Sequence, residues 1–383
     1  MLLGGDIHLE SVEDVKEPFG LLQDVLQNDD MVFGNLEGCF YEKNDPRLFY
    51  YQAKWPHTEP STAQALKEGN IRAVGLANNM VLGDEPIKNT IAILDRMGIA
   101  HTGAGMDESE ARAPAIVESN GVRYGFLQRT SIFWPWGAKA LPKGKILIVR
   151  DPSDQRRYLH VSSNLSTKGW ENFKSEVIDA YGAPGVATLK ARTAYEPSYA
   201  STMYEAGGDP IIHTWPDPAD LEHFIEDIKA LRPKVDVLVT GHHWRLAGKN
   251  IGRDHRQEIA HAAIDAGADI VAAAGTHAMH EIEIYKDRPI FYGLGEMFFR
   301  HGPAYGEGWK TAPSPGRLLV KVEMKNRKMS RVTAQFLERP APTEYRLEVR
   351  PPDKFPQGFK HLSDISARFG THIRAEGDHI AIM

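Results

Sequence analysis

Short apolar runs alternate with amphipathic segments along the first 130 residues of the chain. A short apolar run closed by glycine or polar residues predicts a strand, and apolar residues spaced three or four apart predict a helix. The predicted strands begin at Met1, Met31, Ile71 and Ile99, and the predicted helices cover residues 13–27, 62–68, 86–97 and 108–113. Asn120-Gly121 then separates two apolar runs and predicts a hairpin. This order of elements predicts an α/β fold with a mixed sheet.

The same alternation returns after residue 218. Predicted helices cover residues 218–231 and 257–266, and predicted strands cover residues 235–239, 270–273, 283–285 and 289–293. A second hairpin is predicted around Asn326-Arg327, between the strands 318–324 and 330–338. The chain contains no internal repeat. The two regular parts therefore predict one domain over residues 1–338, followed by a small C-terminal extension over residues 339–383 that begins at a proline-rich link.

Residues 131–218 show neither the apolar runs of strands nor the apolar spacing of helices. They are rich in proline and aromatic residues, as in Trp134-Pro135-Trp136. Long irregular stretches inside a domain are usually functional or disordered, and the aromatic content here argues against disorder. Ligands of open α/β sheets bind outside the carboxyl ends of the strands. We therefore expect residues 131–218 to form a lid or wall over those strand ends.

Composition narrows the class of protein. The 383 residues carry a net charge of −6 and no run of Lys or Arg, which argues against a general nucleic-acid partner. The single cysteine, Cys39, excludes an internal disulfide. No apolar run approaches the length of a membrane span, and no leader pattern precedes the first strand. These features predict a cytoplasmic protein without a membrane partner.

Polar side chains collect where the predicted strands end. Asp6 and His8 follow the first strand with one residue between them, so extended backbone points both to the same side. Five such ends are rich in Asp, Glu, Asn and His: Asp6/His8, Asn35/Glu37, Asn78/Asn79, His242/His243 and His277/His280. Carboxylates, imidazoles and amide oxygens suit a divalent ion such as Mn²⁺, Fe²⁺ or Zn²⁺. The sequence lacks a P-loop, a nucleophile elbow and a dinucleotide fingerprint.

A set of short motifs occurs in a characteristic order along residues 1–299. The motifs are Gly5-Asp6, Gly34-Asn35-Leu36-Glu37-Gly38, Ala77-Asn78-Asn79, Gly103-Ala104-Gly105 with Glu110-Ala111-Arg112, His243-Trp244, Gly267-Ala268-Asp269 and Tyr292-Gly293-Leu294-Gly295. In this order they resemble the CapA family of poly-γ-glutamate capsule biosynthesis, within the calcineurin-like metallophosphatase superfamily. The resemblance implies a four-layer α/β/β/α sandwich with one or two divalent ions at the strand ends. It also implies six metal ligands: Asp6, His8, Glu37, Asn79, His243 and His277.

Three positions depart from the family pattern. Met80 stands where the family usually has the histidine that acts as an acid, Ala274 replaces an earlier histidine, and Glu296 replaces the asparagine of Leu-Gly-Asn-Phe. Because methionine cannot protonate a leaving oxygen, an amide, peptide-like or other acyl substrate is favoured over a phosphomonoester. His280 and Glu296 are the local candidates for the missing proton donor.

Four residues in or near the expected lid are candidate substrate contacts: Arg129, His213, Trp215 and Arg245. Arginine and histidine would suit an anionic group of a small-molecule or peptide-like substrate. A solvated position for the charged residues, and a packing role for the tryptophan, are the simpler alternatives.

Three classes of function remain open on these residues. The leading hypothesis is a metal-dependent hydrolase with a metal-activated water. The first alternative is a metal-dependent peptide epimerase or isomerase, an activity known in a peptide epimerase that resembles this family. The second alternative is a non-catalytic protein that binds a ligand at a degenerate site.

Overall fold

The computed structural model describes residues 1–42, 58–79, 84–130, 189–191, 200–202, 216, 218–244, 254–300, 316–341 and 344–382. Numbered along the chain, the strands in this part are β1 Leu2–His8, β2 Val32–Leu36, β3 Ile71–Gly75, β4 Ala100–Thr102, β5 Ala115–Ser119, β6 Val122–Thr130, β7 Leu189–Ala191, β8 Ala200–Thr202, β9 Val237–His243, β10 Ile270–Ala274, β11 Ile282–Tyr285, β12 Arg288–Phe291, β13 Glu296–Phe299, β14 Arg317–Lys325, β15 Lys328–Glu338, β16 Glu348–Arg350, β17 Ile373–Glu376 and β18 His379–Ile382. The α-helices are α1 Gln23–Gln27, α2 Gln64–Glu68, α3 Asp84–Met97, α4 Glu108–Arg112, α5 Pro218–Leu231, α6 Asp254–Ala266 and α7 Pro356–Ser366. Strands and helices alternate as the sequence predicts, and the fold is mixed α/β.

Two sheets contain most of these strands. The larger sheet has the order β17-β18-β15-β14-β1-β2-β3-β4, with β13 also paired to β1 and β16 to β15. The second sheet has the order β11-β12-β10-β9-β6-β5, and β7 pairs with β8 separately. In the larger sheet β1 to β4 and β13 run parallel, so their carboxyl ends meet at one edge. In the second sheet β6, β9, β10 and β12 are likewise parallel.

The buried side chains fall into three clusters. One cluster joins the two sheets, and within it the rings of Phe33 on β2 and Phe126 on β6 stack at 4.5 Å. A second cluster joins the larger sheet to residues of helices α1 to α3, such as Leu26 and Leu94. The third joins the second sheet to α5 and α6, through residues such as Ile228. Burial on both faces explains why these strands read as continuous apolar runs.

The hairpins agree with their sequence signals. Asn120 and Gly121 both have positive φ, as do Asn326 and Arg327, which is the backbone of the turn that matches strand twist. The sequence also predicted α5 with the bounds that the structure has, residues 218–231.

The predicted helix over residues 13–27 is wrong in its first half. Only α1 and a 3₁₀ turn at Gly20–Leu22 are helical, because Pro18 disfavours the helical region for the residue before it. Strand β13 was not predicted, and β9 continues past residue 239 to His243.

The predicted C-terminal extension contributes strands to the larger sheet. Strand β18 pairs with β15, and Leu362 of α7 lies in the cluster between the sheets. The predicted lid over residues 131–218 lies mostly outside the described residues. Within the described part of the chain, none of the helices combines the length and the apolar character that a membrane span requires.

A close backbone approach beneath the strand ends gives a first testable prediction. A Cβ atom at Gly5 would lie 1.7 Å from the carbonyl oxygen of Gly295, which also accepts a hydrogen bond from the amide of Asp6. Since backbone cannot move aside cheaply, Gly5→Ala should lower the free energy of unfolding by about 1–3 kcal/mol or more. Gly20→Ala is the matched control because a Cβ there meets nothing within 4 Å. Urea unfolding of both variants would measure the difference, and equal stabilities would contradict the prediction.

Candidate metal centre

Asp6 lies at the centre of a buried polar network. It is fully buried near the carboxyl end of β1, where its backbone pairs in register with Asn35 on β2 and Glu296 on β13. The Asn35 amide donates to Asp6 Oδ1 at 2.7 Å, and the backbone amide of Gly275 lies 3.0 Å from both carboxylate oxygens. Burial raises the pKa of the Asp6 carboxyl to about 7, although these hydrogen bonds act in the opposite direction. Without a nearby cation this carboxylate is therefore a costly buried charge.

The ring of His277 lies between the carboxylates of Asp6 and Glu37. Its Nδ1 lies 3.4 Å from Asp6 Oδ2, and its Nε2 lies 4.0 Å from Glu37 Oε1. The residue has a φ of +54°, an uncommon backbone conformation for a residue with a side chain. Within the described residues, Asp6, Glu37 and His277 form the group of three potential metal ligands, with atoms all within 4.8 Å of one another.

The donor set of this group fits a divalent ion. Two ligand atoms held at about 2.0–2.2 Å from one ion lie at most about 4.4 Å apart, and one ligand atom from each of the three residues lies within 4.8 Å of the others, close to that limit. Two carboxylates and one imidazole match the preferences of Mn²⁺, Fe²⁺ and Zn²⁺. The charge of such an ion would also offset the buried carboxylates.

His243 and Asn79 form the next part of the network. His243 Nδ1 accepts a hydrogen bond from the Asn35 amide at 3.1 Å, so its Nε2 carries the proton that it shares with Asn79 Oδ1 at 2.7 Å. Burial, followed by the charge of His277, holds the pKa of His243 well below its usual range. The Nδ1 atom of this neutral imidazole lies 3.8 Å from Asp6 Oδ1, so it can bind a metal in place of the hydrogen bond from Asn35. Two further expected ligands therefore lie beside the group of three.

His8 lies beside that group and is hydrogen-bonded to the backbone of one of its members. Its Nδ1 donates to the backbone carbonyl of Glu37 at 2.6 Å, and its Nε2 lies 3.3 Å from Glu10 Oε2. Its ring stacks on Phe299 at 4.6 Å. His8 therefore contacts the backbone of Glu37 and is not one of the three clustered ligands, Asp6, Glu37 and His277.

Glu296 does not fit its expected role as a proton donor. One of its oxygens accepts hydrogen bonds from Arg317 at 2.9 and 2.5 Å and from Arg339 at 3.1 Å. Burial alone would raise the pKa of this carboxyl, but the charges of Arg317, His277 and Arg339 lower it below its ordinary value. An ionised carboxylate holds no proton to donate, so the structure argues against Glu296 as the acid.

His280, the other expected proton donor, lies beside a carboxylate. Its Nδ1 is 3.1 Å from Glu281 Oε2, and its backbone amide donates to the Gly293 carbonyl. This His–carboxylate pair is partly shielded, since His280 is buried.

Arg129 is a buried ion-pair residue and not an exposed substrate contact. Its guanidinium pairs with Asp227 of α5 and lies over the ring of Phe224 at 5.2 Å. The expectation that Arg129 faces a substrate is corrected by this placement. The other expected substrate contacts, His213, Trp215 and Arg245, lie outside the described residues, as does Met80.

His242 points to the other side of β9 from His243. Its ring stacks on Trp244 at 5.0 Å and meets Phe224 edge-on at 5.1 Å. Burial, followed by the charge of Arg129, lowers the pKa of His242 to about 3. His242 is therefore a neutral packing residue behind the centre.

Three residues near the centre were missed by the sequence analysis as site residues. Gln128 donates to Asn35 Oδ1 at 2.7 Å and so fixes which way the Asn35 amide faces. Glu10 continues the alternation of Asp6 and His8, a signal that could have identified it. Arg317 gave no local signal, because its contact with Glu296 spans 21 residues of sequence.

Known proteins resemble the chain over most of its length. Residues 1–301 match the family model described as bacterial capsule synthesis protein PGA_cap. Among curated proteins, protein y4sH of Sinorhizobium fredii is 28% identical over 292 residues, which are 73% of this chain and 61% of that protein. The capsule biosynthesis protein CapA of Bacillus anthracis is 22% identical over 318 residues, 79% of this chain and 60% of that protein. The PGA biosynthesis protein CapA of Bacillus subtilis is 38% identical over 85 residues, 22% of each chain.

Among solved structures, a hypothetical protein from Thermus thermophilus aligns with a TM-score of 0.44 and 13% identity, over 88% of this chain and 99% of that one. The chain spans about 60% of the length of its long curated relatives. The family model nevertheless covers β1 to β13, the part that contains Asp6, Glu37 and His277. The chain therefore belongs to the family of the bacterial capsule synthesis protein PGA_cap.

Proposed function

We propose that the protein is a metal-dependent hydrolase that acts on an amide, peptide-like or other acyl substrate. The observation that carries this proposal is the convergence of Asp6, Glu37 and His277, with ligand atoms all within 4.8 Å of one another. These three residues would hold the ion, and we propose that His243 and Asn79, which are hydrogen-bonded to each other, hold a second ion or complete the ligands of the first. When bound, a divalent ion supplies Lewis acidity toward a carbonyl oxygen and lowers the pKa of water.

The residues around the ion have separate tasks in this proposal. Asn35 and Gly275 orient the Asp6 carboxylate through their hydrogen bonds. His243 stays neutral because it is buried, so it can act as a ligand without first losing a proton. His280, next to Glu281, is the candidate for moving a proton to or from the substrate.

The names of the relatives point to the class of substrate. Two of them are described as proteins of capsule or PGA biosynthesis. We propose on that basis that the amide substrate is a peptide-like chain of the poly-γ-glutamate type. Because the chain spans only part of those relatives, this substrate is a proposal for the region matched here.

The same family implies a four-layer α/β/β/α sandwich. The three clusters of buried residues support this arrangement, since one joins the two sheets and the other two join each sheet to helices. In such a sandwich the carboxyl ends of the central strands would open toward the lid that we propose for residues 131–218.

Metal analysis followed by a substrate screen tests the function. The purified protein would be analysed for Mn, Fe and Zn, stripped, reloaded with each metal and incubated with peptides, poly-γ-glutamate oligomers and phosphomonoesters. We expect metal-dependent release of new amines from an amide substrate. Deuterium uptake from D₂O at a peptide α-carbon without cleavage would replace the hydrolase with an isomerase. A protein that binds no metal under any of these conditions would overturn both.

The residue at position 80 gives a second testable prediction. Methionine offers no proton to a leaving alkoxide, whereas a general acid is typically worth about 10²–10⁴-fold in rate. We expect weak or no turnover of generic phosphomonoesters by the metal-loaded protein and a measurable gain for Met80→His. Met80→Leu is the matched control, since it changes shape without adding an acid. Strong phosphomonoesterase activity in the unaltered protein would contradict the prediction.

A further inference from the structure

The Glu296 carboxylate has two oxygens with different surroundings. Its Oε2 accepts the hydrogen bonds from both Arg317 and Arg339. Its Oε1 is the oxygen that faces the metal centre, 3.8 Å from Nδ1 of His277. Strand β13 fixes this placement, because Glu296 pairs in register with Asp6 on β1. The two arginines therefore set the rotation of the carboxylate and direct one oxygen toward His277.

The two nitrogens of the His277 ring also face different groups. Nδ1 lies between two carboxylates, 3.4 Å from Asp6 and 3.8 Å from Glu296, while Nε2 lies toward Glu37. The edge-on contact with Phe299, at 4.7 Å, limits rotation of the ring. Asp6 already accepts hydrogen bonds from Asn35 and Gly275, and it would give its remaining lone pairs to an ion. With Asp6 given to the ion, Glu296 Oε1 is the other carboxylate oxygen beside Nδ1, and its distance of 3.8 Å has to shorten by about half an ångström to form a hydrogen bond.

We propose that Glu296 is a positioning residue that accepts a hydrogen bond from Nδ1 of His277, so that His277 presents Nε2 to the metal. A histidine that binds a metal through one ring nitrogen usually donates the other N–H to a carboxylate or carbonyl, and this contact fixes its tautomer and raises its basicity. The inference rests on the metal site of the proposed function. It assigns Glu296 no role in binding the ion itself.

Glu296→Gln is the informative variant. The buried guanidinium groups require an acceptor, so the amide oxygen of the new side chain would turn to Arg317 and Arg339. Its amide nitrogen would then face Nδ1 of His277, donor against donor, and His277 would lose the contact or change its tautomer. Loss of such a partner typically weakens metal affinity by about 10–100-fold.

Cobalt titration provides the measurement. Stripped protein would be titrated with Co²⁺, whose visible absorption reports the ligand environment, and the affinity and spectrum would be compared between variants. We expect Glu296→Gln to bind Co²⁺ about 10–100-fold more weakly and with an altered spectrum. The matched control is Glu338→Gln. Glu338 is the last residue of β15, and its carboxylate lies 3.8 Å from the same Arg317. That control should keep the affinity and spectrum of the unaltered protein.

The outcomes separate this inference from the proposed function. An unaltered protein that binds no Co²⁺ overturns both. Unaltered protein and Glu296→Gln with equal affinity and equal spectra would overturn the positioning role alone, and so would ¹⁵N NMR of the Zn²⁺-loaded protein showing His277 coordinated through Nδ1. If Glu296→Gln fails to fold, the double variant Glu296→Gln/Arg339→Gln removes one charge of each sign and undergoes the same titration. Weakened binding in that variant supports the role, and unchanged binding overturns it.

Discussion

Replacing Asp6 with alanine is expected to remove metal from the protein and to leave its fold intact. Asp6 lies within 3.4 Å of His277 and 3.8 Å of His243, so its carboxylate connects both parts of the candidate centre. Loss of a residue outside the ligand set typically costs about 10–100-fold in affinity, and loss of a shared carboxylate ligand should cost more than that. The hydrolase activity that we propose should disappear with the metal. Equilibrium dialysis followed by elemental analysis would measure the bound ion.

The control for this variant is a buried aspartate that serves the fold alone. Asp269 pairs with Arg232 at 2.6 Å and accepts a hydrogen bond from the backbone amide of Leu238. Asp269→Ala should lower the free energy of unfolding and keep the metal content of the unaltered protein. Circular dichroism of Asp6→Ala should show the native content of helix and strand. Full metal content in folded Asp6→Ala would exclude Asp6 as a ligand.

The sequence predicted those site residues that lie at or just after the ends of strands. Asp6, Glu37 and His277 were predicted as ligands by the family motifs, and the structure brings them together. His8, another expected ligand, lies beside these residues: its Nδ1 donates to the backbone carbonyl of Glu37, and its Nε2 lies 3.3 Å from Glu10 Oε2. The contact with Glu37 comes from the segment after β2, which the spacing of Asp6 and His8 does not encode.

Charge partners were less predictable than ligands. The role expected for Glu296 changed because Arg317 and Arg339 reach it across 21 and 43 residues of sequence. Arg129 was predicted to contact substrate because its ion-pair partner, Asp227 on α5, is distant in sequence and gave no signal near Arg129. The hairpin at Asn120-Gly121 was predictable because asparagine and glycine favour a positive φ locally, and asparagine also begins the second turn, at Asn326. The residues that determine a protonation state at this centre come instead from separate elements.

In the metal-free protein, the free energy of unfolding should decrease as the pH rises through the range in which Asp6 titrates. Burial raises the pKa of Asp6 from 3.8 to about 7, so between these values the folded protein binds a proton that the unfolded chain releases. The free energy of unfolding then decreases with pH over this window. A difference of about three pKa units corresponds to a loss on the order of 4 kcal/mol above pH 7.

Asp6→Asn isolates this contribution because an amide does not titrate. Urea unfolding of both proteins in EDTA, at several pH values between about 4 and 8, would give the difference in their free energies of unfolding. Near pH 4 Asp6 is protonated in the folded protein, so any difference there comes from packing and hydrogen bonding. As the pH rises the difference should move in favour of Asp6→Asn, and saturating Mn²⁺ or Zn²⁺ should reverse it by stabilising only the unaltered protein. A difference that stays constant with pH would show that the Asp6 carboxylate is already compensated without an ion.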